Sequence, residues 1–117
     1  MKILILINKV KPMAVKTLEQ EIAKFANDKV KSLGESEKRE FKKLPNLIMT
    51  NGLIPTLAYY KKDETNVYNA ISDWLKFKNL IQSDALNELL NADSQTLRKA
   101  TLEVLKLSNY LKRFSEM

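Results

Sequence analysis

The chain has 117 residues and a net charge of +6, with 44% hydrophobic residues but only 2 Gly and 3 Pro. That length suits one domain, and the apolar content supplies a real core and excludes a disordered tail. With no Cys and no His, the chain has no disulfide, thiolate nucleophile, Cys-ligated zinc or histidine-based acid–base chemistry.

A composition poor in Gly and Pro and rich in Leu, Lys and Asn predicts an all-α protein. The excess of cations suits a polyanion, either nucleic acid or an anionic membrane face; solubility alone is the plainer explanation. A Cys-free, lysine-rich chain fits the cytoplasm. The opening MKILILINKVKP holds an apolar run only from Ile3 to Ile7, shorter than the ~7–15 residues of a signal peptide. No segment reaches the ~20 apolar residues of a membrane span. The expectation is a soluble cytoplasmic protein with one helical domain over 1–117. Residues 1–12 are an N-terminal arm that reads as a short strand, a docked segment or a helical turn, and 13–117 a compact bundle of about five to six helices.

From Val15 the helical period is plain. Val15, Leu18, Ile22, Phe25, Lys29 and Leu33 step by three and four, with Ala26 and Val30 beside them and Lys29 the one polar interruption. Gly34 is a helix stop, and Ser36 is a candidate cap for a second helix whose inner face is Phe41, Leu44 and Ile48. Pro45 either kinks that helix or restarts it. Asn51-Gly52 between apolar runs is a hairpin signal by composition, but its flanks do not alternate. Leu53, Leu57 and Tyr60 step at helical spacing, so the dipeptide reads as a tight break between two short helices. Asp63 or Thr65 caps a fourth helix with Val67, Ala70, Ile71, Trp74 and Leu75 on one face. Ser83 caps a short fifth. Asp93 or Ser94 caps the last, where Leu97, Ala100, Val104, Leu107, Leu111 and Phe114 follow heptad spacing.

Carboxylate pairs carry little chemistry here. Glu19 and Glu21 do not share a helix face, Asp63-Glu64 reads as a helix start, and Glu37-x-x-Glu40 lacks a histidine to complete a di-metal site. No Gly-rich phosphate loop exists. The basic residues are the informative class. Lys99, Lys106 and Arg113 fall seven apart, a line of ~21 Å opposite the heptad seam, flanked by Arg98 and Lys112. Such a line can neutralise successive phosphates, although spacing alone favours a solvated outer face. Lys38, Arg39, Lys42 and Lys43 form a second group, and Lys61-Lys62 a third. A fold at Asn51-Gly52 would let those two approach, while Lys61 and Lys62 also suit a helix C-terminus. Tyr59 and Tyr60 beside them are either stacking platforms for bases or half-buried packing. Trp74 reads as core.

Four segments in order, TLEQEIAKFANDKV, FKKLPNLIMTNGLIPTLAYYKK, ISDWLK and LRKATLEVLKLSNYLKRFSEM, resemble the small helical subunit of the Cmr-type (type III-B) CRISPR effector complex. The resemblance spans about residues 17 to 117, and the Leu-Pro…Asn-Gly-Leu…Leu-Ala block is its most specific part. The chain departs from the family pattern at Glu21-Ile22, where relatives often carry Arg-Ala, and in its first twelve residues. The resemblance implies an all-α, non-catalytic subunit that stacks in copies beside larger backbone subunits. It implies partners as well: the other subunits, further copies of itself, the guide RNA and the target RNA. No cofactor, metal, membrane or small-molecule substrate is expected. A target-RNA or subunit-contact role falls on Lys42, Lys43, Asn51, Gly52, Arg98, Lys112 and Arg113 at motif positions, and Lys61, Lys62, Lys99 and Lys106 join them as basic candidates. The rivals are a helical DNA-binding regulator and a structural adaptor built on the heptad face.

Overall fold

The computed structural model describes residues 17–117, and the Ile3–Ile7 run, the 1–12 arm and Val15 lie outside them. Six helices follow one another: α1 (Leu18–Ser32), α2 (Glu35–Asn51), α3 (Leu53–Asp63), α4 (Thr65–Phe77), α5 (Ala85–Leu90) and α6 (Ser94–Ser115). The described residues contain no strand, as the all-α expectation requires. None of these helices is long and apolar enough to cross a membrane.

Helix α1 opens on a reciprocal cap. The Thr17 hydroxyl accepts the Gln20 N–H at 3.0 Å, and Gln20 Oε1 accepts the Thr17 N–H at 3.0 Å, which satisfies two of the donors a helix start leaves over. Its buried face is Ile22, Ala26 and Val30. The predicted stripe is therefore displaced from the observed one. Leu18 is 72% exposed, because Ala26 and not Phe25 marks the middle of the inner face. Lys29, the predicted interruption, sits at the edge of that face. Its ammonium lies 2.8 Å from Asp73 of α4 and 5.3 Å from the Phe25 ring centre.

Three helix starts differ from the sequence expectation. Gly34, not Ser36, precedes α2, and Glu37 Oε1 accepts its N–H at 2.9 Å. Glu64, not Asp63 or Thr65, precedes α4. Asp84, not Ser83, caps α5, taking the Asn87 N–H at 3.0 Å. Asp93 caps α6 as expected, with the Thr96 N–H at 2.7 Å. Pro45 does not restart α2, which runs unbroken from Glu35 to Asn51.

Two junctions have no loop at all. Gly52 ends α2 and begins α3: its N–H goes to the Ile48 carbonyl at 2.9 Å, and its own carbonyl takes the Thr56 hydroxyl at 2.8 Å. Glu64 does the same between α3 and α4, giving its N–H to Tyr60 at 2.9 Å and accepting from Val67 and Tyr68. At Gly52 φ is 91°, a region that costs a side chain dearly. The Asn-Gly break is a helix–helix corner, as periodicity indicated. After α4 the chain turns through Asn79 at φ 61°, and the Leu80 N–H reaches back to the Leu75 carbonyl at 2.9 Å, a left-handed helix stop.

The core is built on α6. This helix, about 33 Å long at 1.5 Å per residue, lays Ala100, Val104, Leu107 and Leu111, all fully buried, chiefly against α1 and α2. Phe41, Leu44, Leu57, Tyr60, Val67, Ile71, Trp74 and Leu75 complete it. Trp74 is 1% exposed, tilted on Phe25 and stacked on Phe77, and its indole N–H reaches Glu103 at 3.3 Å.

Gly52→Ala tests the corner. The added methyl meets only Pro55 Cδ at 3.8 Å, so the cost is backbone strain, about 1–2 kcal/mol. Urea unfolding of the variant is expected to show that loss with an unchanged m-value.

Candidate nucleic-acid interface

The candidate basic residues lie on one face of α2 and one of α6, with Lys61 and Lys62 at the end of α3. On α2, Arg39, Lys42 and Lys43 are exposed; Lys43 lies 3.1 Å from Glu40 and Lys38 lies 3.5 Å from Glu35. On α6, Arg98, Lys99, Lys106, Lys112 and Arg113 are arrayed outside the buried seam. Lys106 is 4.0 Å from Glu103. Among the described residues, Lys42, Lys62, Arg98, Lys99, Lys112 and Arg113 make no ion pair.

Lys61 is engaged elsewhere. Its ammonium lies 3.0 and 3.1 Å from the two Asp84 oxygens and 5.7 Å from the Tyr68 ring centre. Asp84 also accepts the Tyr68 hydroxyl, which in turn accepts the Leu86 N–H at 3.0 Å. The Tyr68 hydroxyl, the Asn87 N–H and Lys61 together hold the Asp84 carboxyl down at about 2. This network fastens α5 to α3 and α4. Tyr60 is corrected. It is fully buried and its hydroxyl donates to Glu40 at 3.2 Å, so it offers no face to a base. Burial, reinforced by the Glu40 charge, pushes its phenol well above the usual range.

Two grooves collect the sequence candidates. Between α2 and α3, a groove of about 270 Å³ is lined by Glu40, Lys43, Leu47, Asn51, Pro55, Thr56 and Tyr59. It joins three predicted positions, Lys43, Asn51 and Tyr59. Beside α6, a groove of about 220 Å³ sets Lys99 and Lys106 with Lys78 around Leu80 and Leu102. The line of cations on α6 is therefore interrupted by an exposed leucine, Leu102. Sequence reasoning weighed Glu40 only as half of a carboxylate pair with Glu37 and missed its burial, at 9% exposure, which organises the first groove. Its place four residues before Leu44 on the inner face was the available signal.

Fold and surface together define a small, basic, all-helical protein with cations on two helix faces. The chain belongs to the Cas_Cmr5 family of CRISPR-associated proteins, whose model matches residues 18–117, all six helices included. It is also similar to the CRISPR system Cmr subunit Cmr5 of Thermotoga maritima (strain MSB8), with 30% identity over 114 residues, covering 90% of this chain and 87% of that protein. The resemblance to the small helical Cmr-type subunit is thereby borne out.

The Asp84 network generates a pH dependence. A carboxyl held below its ordinary value stabilises the fold above the unfolded pKa, ~3.9, and loses that contribution as pH falls through its folded value. Asp84→Asn is expected to lower the thermal midpoint at pH 6. The gap to the parent is expected to shrink between about pH 4 and pH 2, followed by circular dichroism.

Proposed function

We propose that this protein is a non-catalytic subunit of a type III-B CRISPR effector complex. In this reading, several copies stack along the guide–target duplex and hold the target RNA by its backbone, in defence against foreign nucleic acid. The observation that carries it is the family match across residues 18–117, which spans the two basic faces of α2 and α6.

The chemistry is that of holding, not reacting. A subunit that serves any guide sequence must grip phosphate and leave base pairing to the RNA. Lysine and arginine side chains without carboxylate partners suit that task, since no protein ion pair has to be broken before phosphate is bound. Lys42, Lys62, Arg98, Lys99, Lys112 and Arg113 meet this condition among the described residues. Lys43 and Lys106 would exchange a carboxylate for a phosphate, and Lys61 is held by Asp84. Asn51 and Gly52 shape the corner that presents the α2 cations. The DNA-regulator reading finds less support. A recognition helix needs a free polar face, whereas the helix after the corner, α3, buries Leu53, Thr56, Leu57 and Tyr60.

Lys42→Gln with Lys43→Gln tests the α2 face in the assembled complex. The double variant is expected to keep the parent thermal midpoint and to weaken target-RNA retention severalfold at low salt. The slope of log K against log salt should flatten by about 1 for each phosphate no longer neutralised. Equal affinity at several salt concentrations would remove the α2 face from the RNA interface.

A further inference from the structure

The groove between α2 and α3 has a composition that backbone holding does not require. A surface that only tracks phosphates needs cations on a solvated face. Here Lys43 instead stands over a cleft with an aromatic wall, apolar sides and a carboxylate at its base. Tyr59 forms the wall. It is 46% exposed, and its ring is fixed by an edge contact with Tyr60, 4.9 Å between centres at 67°. Tyr60 is itself immobilised by complete burial and by its bond to Glu40. Tyr59 thus lines the groove with its ring braced from one side and nearly half exposed. Leu47 and Pro55 supply the sides, and Asn51 stands at the corner end.

We infer that this groove is a subsite for one unpaired nucleobase of the bound RNA, stacked on Tyr59. The inference rests on the RNA-holding reading above and deepens it. The volume, about 270 Å³, is room enough for a single planar ring. Stacking is indifferent to sequence because every base has a π-face. Glu40 engages Tyr60 through Oε1 and Lys43 through Oε2. A carboxylate has about four lone-pair sites, so it retains capacity to accept an exocyclic amino group. Lys43, at the rim and 58% exposed in its side chain, is placed for the adjoining phosphate, and Lys42 next to it makes no ion pair among the described residues. Cation, aromatic wall and acceptor thus converge on one cleft, the combination a base with its own phosphate demands.

The test uses the full chain at low salt and three RNA duplexes. The first carries one unpaired 2-aminopurine, the second an abasic residue at that position, and the third is fully paired. Binding is expected to quench the unpaired 2-aminopurine, and the abasic duplex is expected to bind about tenfold more weakly than the first. Tyr59→Phe should keep both effects. Tyr59→Leu should lose both while binding the abasic duplex as the parent does, which also certifies its fold. Equal affinity for unpaired and abasic duplexes without quenching would overturn the subsite and leave RNA holding intact. Failure of every duplex to bind, to the chain and to the complex assembled with its partner subunits, would overturn both.

Discussion

Helix α6 buries Ala100, Val104, Leu107 and Leu111 along one side, and a helix that gives one side to a core leaves the other to solvent or a partner. That single commitment arranges most of what lies outside the core. It seats α1 and α2 against the same seam, and it turns Arg98, Lys99, Lys106, Lys112 and Arg113 away from it together. Alanine at position 100 and serine at 108, both with no exposed surface, allow the close approach that larger side chains would prevent. The basic exterior is a geometric result of how the interior is packed.

The second organising element is the corner at Gly52. By ending α2 and starting α3 on one residue, it brings Glu40 under Tyr60 and places Tyr59 beside Lys43 and Asn51. A buried carboxylate is expensive unless its lone pairs are used, and here a phenol and an ammonium use them. Glu40 is therefore both a structural tie between two helices and the polar end of a cleft. At the start of α5, Asp84 plays a similar part for Lys61 of α3 and Tyr68 of α4.

Much of the fold is legible in the sequence because period and punctuation agree. Leu44, Ile48, Val104 and Leu107 are where a 3.6-residue repeat puts them, and Gly52 is where only glycine fits. Ser36, Asp63 or Thr65, and Ser83 depart from expectation for a common reason. Each lies at a helix start, where several neighbouring residues satisfy the same rule and tertiary packing picks one. The Lys61–Asp84 contact and the Tyr60–Glu40 bond join residues about twenty apart in sequence, and no local pattern encodes such partnerships. Of the candidate site, the residue types are legible, but not their company. Whether a lysine faces a carboxylate, an aromatic ring or water is decided by another helix.

The one-residue junctions at Gly52 and Glu64 have a consequence for how such a chain can vary. From Glu35 to Phe77 three helices meet without a spare residue. An insertion there rotates every following side chain by about 100° per residue, since a turn takes 3.6 residues, and throws the buried face of α4, Trp74 included, out of register. Among the described residues, slack lies at Leu33–Gly34, between Lys78 and Asp84 and between Asn91 and Asp93. The corner helices thus accept exchange of an exposed side chain far more readily than a change of length.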